Sequence, residues 1–377
     1  MAPPAAVAVV LGDDLLREVF IRLPSPEDLL RSATACKEFL RVARSGPFLR
    51  RFRRLHPSSC PRLLGCLLLP AGRRRTPHLL PSSSAAAADR GGDFALSFLP
   101  GGWLGSCWFG NAAWQFLDCR NGRLLLKNLV SQELAVADPM ARRCVALPAP
   151  PAERAVGYGL VANDGDSSEF RVVCVLRKVV SRELRALVLS SGELSWTDVA
   201  GLACQPDLAA PRAMQANRSL YWRLEGEERM VAFSMVTMEF SLLQLPPSLR
   251  QLSFEVIEKG EQDGNVLHLL TMSGFSIHVW AGLGDSDGGI VWRRVEKSVR
   301  FHKLLAQMTN PSVESYQHEL EIIGVAAGVV FLRQWDHLFS IDLGTMKLRM
   351  LSDEDCSEAL IYPYTIAWPP SFLNPAE

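Results

Sequence analysis

The chain has 377 residues, of which 48% are hydrophobic and 21% are charged. This composition indicates a packed globular protein and excludes wholesale disorder. No apolar run approaches the ~20 residues that a membrane-spanning helix needs. The length predicts two or three domains, and residues 1–11 lack the basic start that a signal or transit peptide requires.

The net charge of zero is the sum of two unlike parts of the chain. Through Arg75 there are 14 basic and six acidic residues, whereas the remainder holds 26 basic and 34 acidic ones. Two arginine-rich runs, at 50–54 and 73–75, supply most of the basic excess. They favour a solvated helix face followed by a charged linker, with nucleic-acid binding or nuclear import as the alternative.

The nine cysteines are scattered and never form a C-x-x-C pair. A disulfide framework or a zinc ribbon would space them differently. The sequence therefore predicts reduced thiols and a cytoplasmic or nuclear protein.

Residues 11–56 carry helical patterns. Gly12-Asp13-Asp14 predicts a helix start, and Leu16, Phe20 and Leu23 follow at helical spacing before Pro24. Ser25-Pro26-Glu27-Asp28 predicts a second start, since a Ser N-cap, a Pro at the first position and acids in the first turn each favour it. The second apolar stripe is Leu29, Ala33, Cys36 and Leu40, and a third short helix is predicted over Gly46–Leu55.

Three segments follow from these patterns: a helical domain over 8–62, a linker or long exposed loop over 63–93, and a strand-rich domain over 94–377. The middle segment is rich in Pro, Ser, Ala and Gly without periodicity. Short helices alone bury little core, so the helical domain is expected to need a partner or a neighbouring domain.

In the third segment a triplet of short strands recurs. The first strands of the triplets start near Gly122, Phe170, Ser219, Asn265 and Gly328. Their spacing is close to the ~50 residues of kelch-type propeller blades, and the segment would hold five or six of them. The fold class is therefore α+β and multidomain: N-terminal helices followed by a predominantly antiparallel, kelch-like β-propeller. A two-sheet sandwich is the alternative. The nine tryptophans, all in this segment, are expected mostly to pack in its core.

Both halves resemble the plant, grass-type F-box proteins that carry an F-box-associated propeller. In the first half Leu11, Asp13-Asp14-Leu15-Leu16, Arg22-Leu23-Pro24, Asp28-Leu29-Leu30 and Cys36-Lys37 match the F-box motif. Gly12 replaces the usual Pro, and Phe39 stands where Trp is common. The associated domain is resembled by the phrases at 118–128, 136–150, 219–222 and 362–373.

The resemblance implies a substrate receptor of an SCF-type, cullin-based ubiquitin ligase. The F-box would dock on a Skp-family adaptor, and the β domain would hold a protein target. The expected adaptor contacts are Leu11, Leu15, Leu16, Val19, Leu23, Pro24, Leu29 and Leu30, although any of these leucines could instead fill the module's own core. The residues that bind the target are not predicted.

No catalytic, cofactor or metal residue is expected. Residues 157–162 match the G-x-G-x-x-A form of a dinucleotide fingerprint, but a turn follows where that motif needs a helix. Asp285-Ser-Asp287 resembles a calcium loop without its closing acid, and Asp336-His337 are neighbours whose side chains would point to opposite faces of a strand. A propeller enzyme with a fused helical segment, or a basic nucleic-acid-binding protein, are the alternative functions.

Overall fold

In a computed structural model the structure describes most of the chain. The described residues are 12–23, 26–33, 35–55, 62–69, 76–81, 92–103, 114–151, 154–162, 169–205, 207–249, 252–257, 266–284, 290–295, 299–300, 320–334, 337–352 and 359–366. No helix within these ranges is long and apolar enough to cross a membrane.

Four helices form an N-terminal helical module: α1 (Asp13–Phe20), α2 (Pro26–Ala33), α3 (Lys37–Ala43) and α4 (Gly46–Leu55). They share one apolar core of ten buried residues. Its aromatic centre is Phe20, which meets the rings of Phe39 and Phe48 edge-on, at centroid distances of 5.3 and 6.3 Å.

The predicted second helix is two helices. Its stripe was expected to run from Leu29 to Leu40, but α2 ends at Ala33 and Cys36 caps the start of α3. The thiol of Cys36 accepts a hydrogen bond from the backbone N–H of Phe39 at 3.5 Å. The periodicity continues across the break because both helices face the same core, so spacing alone could not reveal it.

Twenty-four strands form six sheets, which are the blades of a six-bladed β-propeller. Five blades are consecutive along the chain and hold four main strands each. Blade I contains β3 (Trp114–Arg120), β4 (Arg123–Asn128), β5 (Leu134–Asp138) and β6 (Arg143–Leu147). Blade II contains β7 (Arg154–Ala162), β8 (Phe170–Lys178), β9 (Glu183–Ser190) and β10 (Trp196–Ala203).

The next three blades have the same antiparallel order. Blade III contains β11 (Met214–Ala216), β12 (Ser219–Arg223), β13 (Arg229–Ser234) and β14 (Phe240–Gln244). Blade IV contains β15 (Phe254–Ile257), β16 (Leu267–Ser273), β17 (Ser276–Gly284), β18 (Ile290–Arg294) and the short β19 (Val299–Arg300), which pairs with β17. Blade V contains β20 (Glu321–Ala326), β21 (Val329–Gln334), β22 (His337–Asp342) and β23 (Lys347–Ser352).

Blade VI joins the two ends of the described chain. It contains β1 (Arg62–Leu69), β2 (His78–Pro81) and β24 (Leu360–Ile366), with β1 paired to both of the others. The linker predicted over 63–93 is therefore wrong for β1 and β2. The run Arg62–Leu69 (RLLGCLLL) is a short continuous apolar strand buried on both faces, and such a run has no helical or alternating period by which to recognise it.

The innermost strand of each blade faces a central channel. These strands are β3, β7, β11, β15, β20 and β24. Six apolar cores fill the spaces between neighbouring blades around the ring. The six tryptophans in the described ranges belong to or pack against these cores, as expected for them: Trp103, Trp114, Trp196, Trp222, Trp280 and Trp292.

The two faces of the propeller differ in what they carry. Arg62, where β1 begins, pairs with Ile366 at the end of β24, so the chain enters the propeller from the face where the innermost strands end. The turns between the second and third strands lie at the opposite face, as the pairings of Trp114 with Asn128 and of Arg154 with Arg177 show. We call that opposite face, where the innermost strands begin, the starting face.

Candidate functional sites

Helix α1 has two apolar stripes on different sides. Leu16 and Phe20 point into the core of the helical module, with exposed fractions of 4% and 2%. Leu15 and Val19 are also four residues apart and share another side, but they are 54% and 47% exposed. The module therefore buries one stripe itself and leaves the other on its surface.

The structure divides the eight expected adaptor contacts. Leu16 and Leu29 lie in the module's core, and Leu23 packs against it half-buried, which is the alternative that their apolar character left open. Leu15 and Val19 are exposed. The remaining three are outside the described residues or have side chains that are: Leu11, Pro24 and Leu30.

The two departures from the motif fit the module without strain. Gly12 caps α1 with φ −63° and ψ 155°, and its carbonyl accepts from the N–H of Leu16 at 3.0 Å. That φ is the value which a proline ring imposes, so Gly12 keeps the backbone of the usual Pro. Phe39 packs against Phe20, at the edge of the core.

An ion pair ties the start of α1 to α3. The guanidinium of Arg41 donates to both carboxylate oxygens of Asp13, at 2.6 and 2.7 Å. The hydrogen bond from Arg41 lowers the pKa of Asp13. This fork-to-fork contact restrains the orientation of α1 and with it the direction in which Leu15 and Val19 point.

Charged side chains from three blades meet at the channel. Arg212, two residues before β11, lies 4.0 Å from Asp118 of β3 and 4.0 Å from Glu255 of β15, each measured from a guanidinium nitrogen to a carboxylate oxygen. Its guanidinium carbon stands 5.2 Å from the ring centre of Tyr362 on β24. Arg120 approaches Asp118 at 3.8 Å. We call these five residues the channel cluster.

The two carboxylates of the channel cluster are in different states. Asp118 is fully buried, and its oxygens accept the N–H groups of Cys119 and Leu160, both at 2.8 Å. Glu255 accepts no hydrogen bond from the described part of the chain. Burial raises the pKa of its carboxyl, and Arg212 opposes this only in part.

Arg212 balances both acids. Burial lowers the pKa of its guanidinium, but the negative charges of Glu255 and Asp118 outweigh this effect and raise it overall. Two guanidiniums face two carboxylates, so the channel cluster carries no net charge. The two carboxylates each face Arg212, and this differs from the convergent pair that a propeller enzyme would need.

Sequence reasoning did not predict the channel cluster. Its members come from four blades and are separated by tens of residues, and none belongs to a local motif. The one available signal was a charged residue within or beside an apolar strand, as in Phe116-Leu-Asp118-Cys and Phe254-Glu255-Val.

The motifs that suggested other chemistry lie in ordinary strands or outside the described ranges. Gly157 and Gly159 are within β7, where an added Cβ would come within 3.0 Å of Leu208 and of Leu220, so they permit close packing between blades. Residues 285–289 and Asp336 are not described. Of the basic runs, Arg50 and Arg51 are exposed on α4, where Arg51 pairs with Glu18 at 3.0 Å; the side chains of Arg53 and Arg54, and all of residues 73–75, lie outside. The six described cysteines are free thiols.

Exposed apolar side chains occur at the starting face in two adjacent blades. The turn from β4 to β5 presents Leu129 and Val130, which are 46% and 78% exposed. The turn from β8 to β9 presents Val179 and Val180, which are 70% and 100% exposed. An apolar pair at a hairpin tip gains nothing from water, so these tips are candidates for contact with another molecule.

The comparison with protein families identifies the propeller. Residues 115–372 match the family described as "F-box protein AT5G49610-like, beta-propeller". The chain belongs to this family. The match begins at blade I and extends beyond β24, and it leaves the helical module outside. In this family's propeller, the sixth blade is completed here by strands that precede the matched residues.

Solved structures of similar shape are distant in sequence. "YCF48 bound to D1 peptide" is 9% identical with a TM-score of 0.35, and covers 66% of this chain and 69% of its own. A structural genomics protein of unknown function from Bacteroides thetaiotaomicron is 12% identical (TM-score 0.38; 69% and 64%). YCF48 from Cyanidioschyzon merolae is 7% identical (TM-score 0.34; 61% and 69%). No curated protein matches the chain.

Proposed function

We propose that this protein is a substrate-recognition subunit of an SCF-type ubiquitin ligase. Its helical module would bind a Skp-family adaptor, and its propeller would hold a protein target. The family of the propeller supports a role in recognising substrates. The receptor itself would perform no ubiquitin transfer, and its contribution would be to bring the target close to the ligase. It would act in the cytoplasm, the nucleus or both.

The exposed stripe of α1 is the observation that carries the proposal. Leu15 and Val19 stay on the surface although the module has a complete core of its own. Complete burial of a Leu or Val side chain contributes about 1.5–3 kcal/mol. A partner that covers both would gain a substantial part of its binding free energy from this one helix.

The starting face of the propeller is the proposed place for the target. The helices join the propeller at the other face, beside Ile366. The exposed tips at Leu129–Val130 and Val179–Val180 lie on the starting face, and loops at the end of a rigid scaffold commonly carry recognition. Adaptor and target would then bind at opposite ends of the molecule.

The double substitution Leu15→Asp/Val19→Asp tests adaptor docking. Both side chains are exposed, so the helical module should keep its fold while the contact surface gains two charges. We expect adaptor capture by the full chain to fall at least tenfold, which corresponds to about 1.4 kcal/mol. The measurement is a pull-down with a purified Skp-family adaptor, with helix content followed by circular dichroism.

Leu55→Asp is the matched control for this experiment. Leu55 is 57% exposed at the end of α4, so it has the same residue type and nearly the same exposure as Leu15. This variant should capture the adaptor as well as the unchanged chain does. Equal capture by the double variant and the unchanged chain would contradict the proposed docking surface.

A further inference from the structure

The channel cluster is electrostatically balanced but incompletely hydrogen-bonded. Arg212 donates no hydrogen bond to any described residue, and Glu255 accepts none; the Nε of Arg120 is likewise buried without a hydrogen-bond partner in the described part of the chain. Buried polar groups of this kind are rarely left without partners. The side chains of Arg212 and Glu255 are 22% and 17% exposed, so solvent or a ligand in the channel reaches them.

The position of these groups favours access from the starting face. Glu255 is the second residue of β15, and Arg212 lies two residues before β11. Both are therefore near the ends at which the innermost strands begin. This is also the face that carries the exposed tips of blades I and II.

The separation between Arg212 and Glu255 discriminates between ligand groups. Their nearest nitrogen and oxygen atoms are 4.0 Å apart, which is beyond a direct hydrogen bond. The oxygen and nitrogen of an amide are about 2.3 Å apart, so an amide lying alongside makes bonds of about 2.9 Å to both groups. A single hydroxyl oxygen bonded to both at about 2.9 Å would be bent to roughly 90°, well short of tetrahedral.

Charge leads to the same ligand class. The channel cluster already pairs two guanidiniums with two carboxylates, so an added carboxylate or ammonium group would leave an unbalanced charge in a partly desolvated site. An amide is neutral, its oxygen accepts from Arg212 and its N–H donates to Glu255. The guanidinium is held flat against Tyr362, which fixes the direction of its donors.

We propose that the channel cluster is a recognition pocket for the side-chain amide of an Asn or Gln residue on the protein target. The inference rests on the proposed function as a substrate receptor, and it specifies the chemistry of the target. A side chain suits the site because the six innermost strands surround it. Arg212 and Glu255 would bind the amide directly, while Asp118 and Tyr362 position Arg212.

Peptide selection on the full chain tests this inference. A phage-displayed library of random heptapeptides is selected on the full chain bound to its adaptor, and the selected residues are counted by sequencing. The unchanged chain should enrich Asn and Gln by up to about tenfold over the input, the factor expected from one net hydrogen bond. Glu255→Gln keeps the shape but leaves one excess positive charge, so its selected peptides should shift from Asn and Gln to Asp and Glu.

Two controls keep the outcome clear. Glu193→Gln makes the same change at an exposed turn of blade II and should select the same peptides as the unchanged chain. Glu255→Gln should fold, since burial already favours the uncharged form of this side chain. Selection without Asn or Gln on the unchanged chain, or an identical selection on Glu255→Gln, would overturn the pocket.

Adaptor binding by the same preparations separates the two proposals. A chain that binds the adaptor but selects no amide leaves the receptor function intact and refutes the pocket. A chain that selects amides but fails to bind the adaptor refutes the proposed function, and the pocket then stands as a peptide site of a protein with another role.

Discussion

Glu255 shows how one side chain can serve binding at a cost to folding. It carries its charge beside the channel, where burial disfavours the ionised form more strongly than Arg212 favours it. Replacement of such groups by neutral ones of the same size is often neutral or stabilising. The residue is therefore difficult to explain as a contribution to stability alone, and this agrees with a role in contacting a ligand.

The raised pKa of Glu255 predicts a specific pH dependence. Between its unfolded and folded pKa values the folded state holds a proton that the unfolded state releases, so this group's contribution to stability is lost as the pH rises through the folded value. Glu255→Gln lacks this effect. We expect the variant to be more stable than the unchanged chain at pH 8, by about 1.4 kcal/mol for each unit of pKa difference, with the gap narrowing towards pH 5.

Urea unfolding at several pH values measures this difference. Glu193→Gln, at an exposed turn, should show no gap that changes with pH. A constant or widening gap between Glu255→Gln and the unchanged chain on acidification would contradict the assignment. Arg212, Arg120 and Asp118 also face Glu255, and they are the same in both proteins.

At the residue level the sequence predicted packing better than position. The stripe of Leu16 and Phe20 was recognisable from its spacing, but nothing local distinguished it from the neighbouring stripe of Leu15 and Val19. Which stripe faces inward depends on where α3 and α4 lie, and this is decided by tertiary contacts such as Arg41 with Asp13. Arg212 and Glu255 could not be paired for the same reason.

Recurring arginines connect each of three blades to the segment that leads into the next. They lie at the last or next-to-last position of the second strand and donate to a backbone carbonyl. The contacts are Arg177 to Cys204 at 2.5 Å, Arg223 to Leu252 at 2.7 Å and Arg333 to Ala359 at 3.1 Å. These positions repeat although the surrounding sequence does not, so they are a structural repeat of the family's propeller in this chain.

Arg223→Met tests the contribution of these contacts. The change removes the bond to Leu252 and the stacking on Phe254, whose ring centre is 5.6 Å from the guanidinium carbon. A hydrogen bond from a charged group contributes about 1.5–3 kcal/mol, and we expect a loss of this size in thermal or urea unfolding. Arg143→Met, at an exposed position of β6, should change stability by less than about 0.5 kcal/mol. Equal stability of the two variants would contradict the role given to Arg223.

At the level of elements the sequence predicted the outer strands and missed the inner ones. The recurring triplets correspond to the second, third and fourth strands of blades I to V, whose apolar runs are clear. The first strands line the channel and carry polar residues such as Asp118, or are as short as Met214–Ala216. Their pattern is therefore too weak to identify. The start of α2 at Pro26 and the bounds of α4 were predicted correctly, because capping signals are local.

The whole ring depends on strands from both ends of the described chain. β1 contributes Leu64 and Leu67 to the core shared with blade I, and Cys66 and Leu68 to the core shared with blade V. The sequence could not predict this, because strand pairing between residues 62 and 366 leaves no local trace. The six blades were within the predicted five or six, but the sixth lay partly in the predicted linker.

Truncation distinguishes the helical module from the propeller. Removal of residues 1–55 should abolish adaptor capture and leave the propeller's unfolding temperature unchanged. Removal of residues 1–69 also takes β1, whose buried leucines each contribute about 2–5 kcal/mol. Since domains of this kind have about 5–15 kcal/mol in total, the longer deletion should abolish cooperative unfolding and cause aggregation, as seen by tryptophan fluorescence and gel filtration.

A substitution in the intact chain checks that result without shortening it. Leu64→Asp places a charge in the core between blades VI and I and should have the same effect as the longer deletion. Cooperative unfolding of the 1–69 deletion at the unchanged temperature would show that β1 does not close the ring.

The shared blade has a consequence for the order of events during synthesis. The helices and β1 leave the ribosome first, but β24, to which β1 pairs, leaves after every other described strand. Until then β1 has an unpaired edge, which is a site for aggregation, while the helical module can already fold. A nascent receptor could thus bind its adaptor before it can bind a target, and a chain cut short before residue 360 would occupy a ligase without a closed ring.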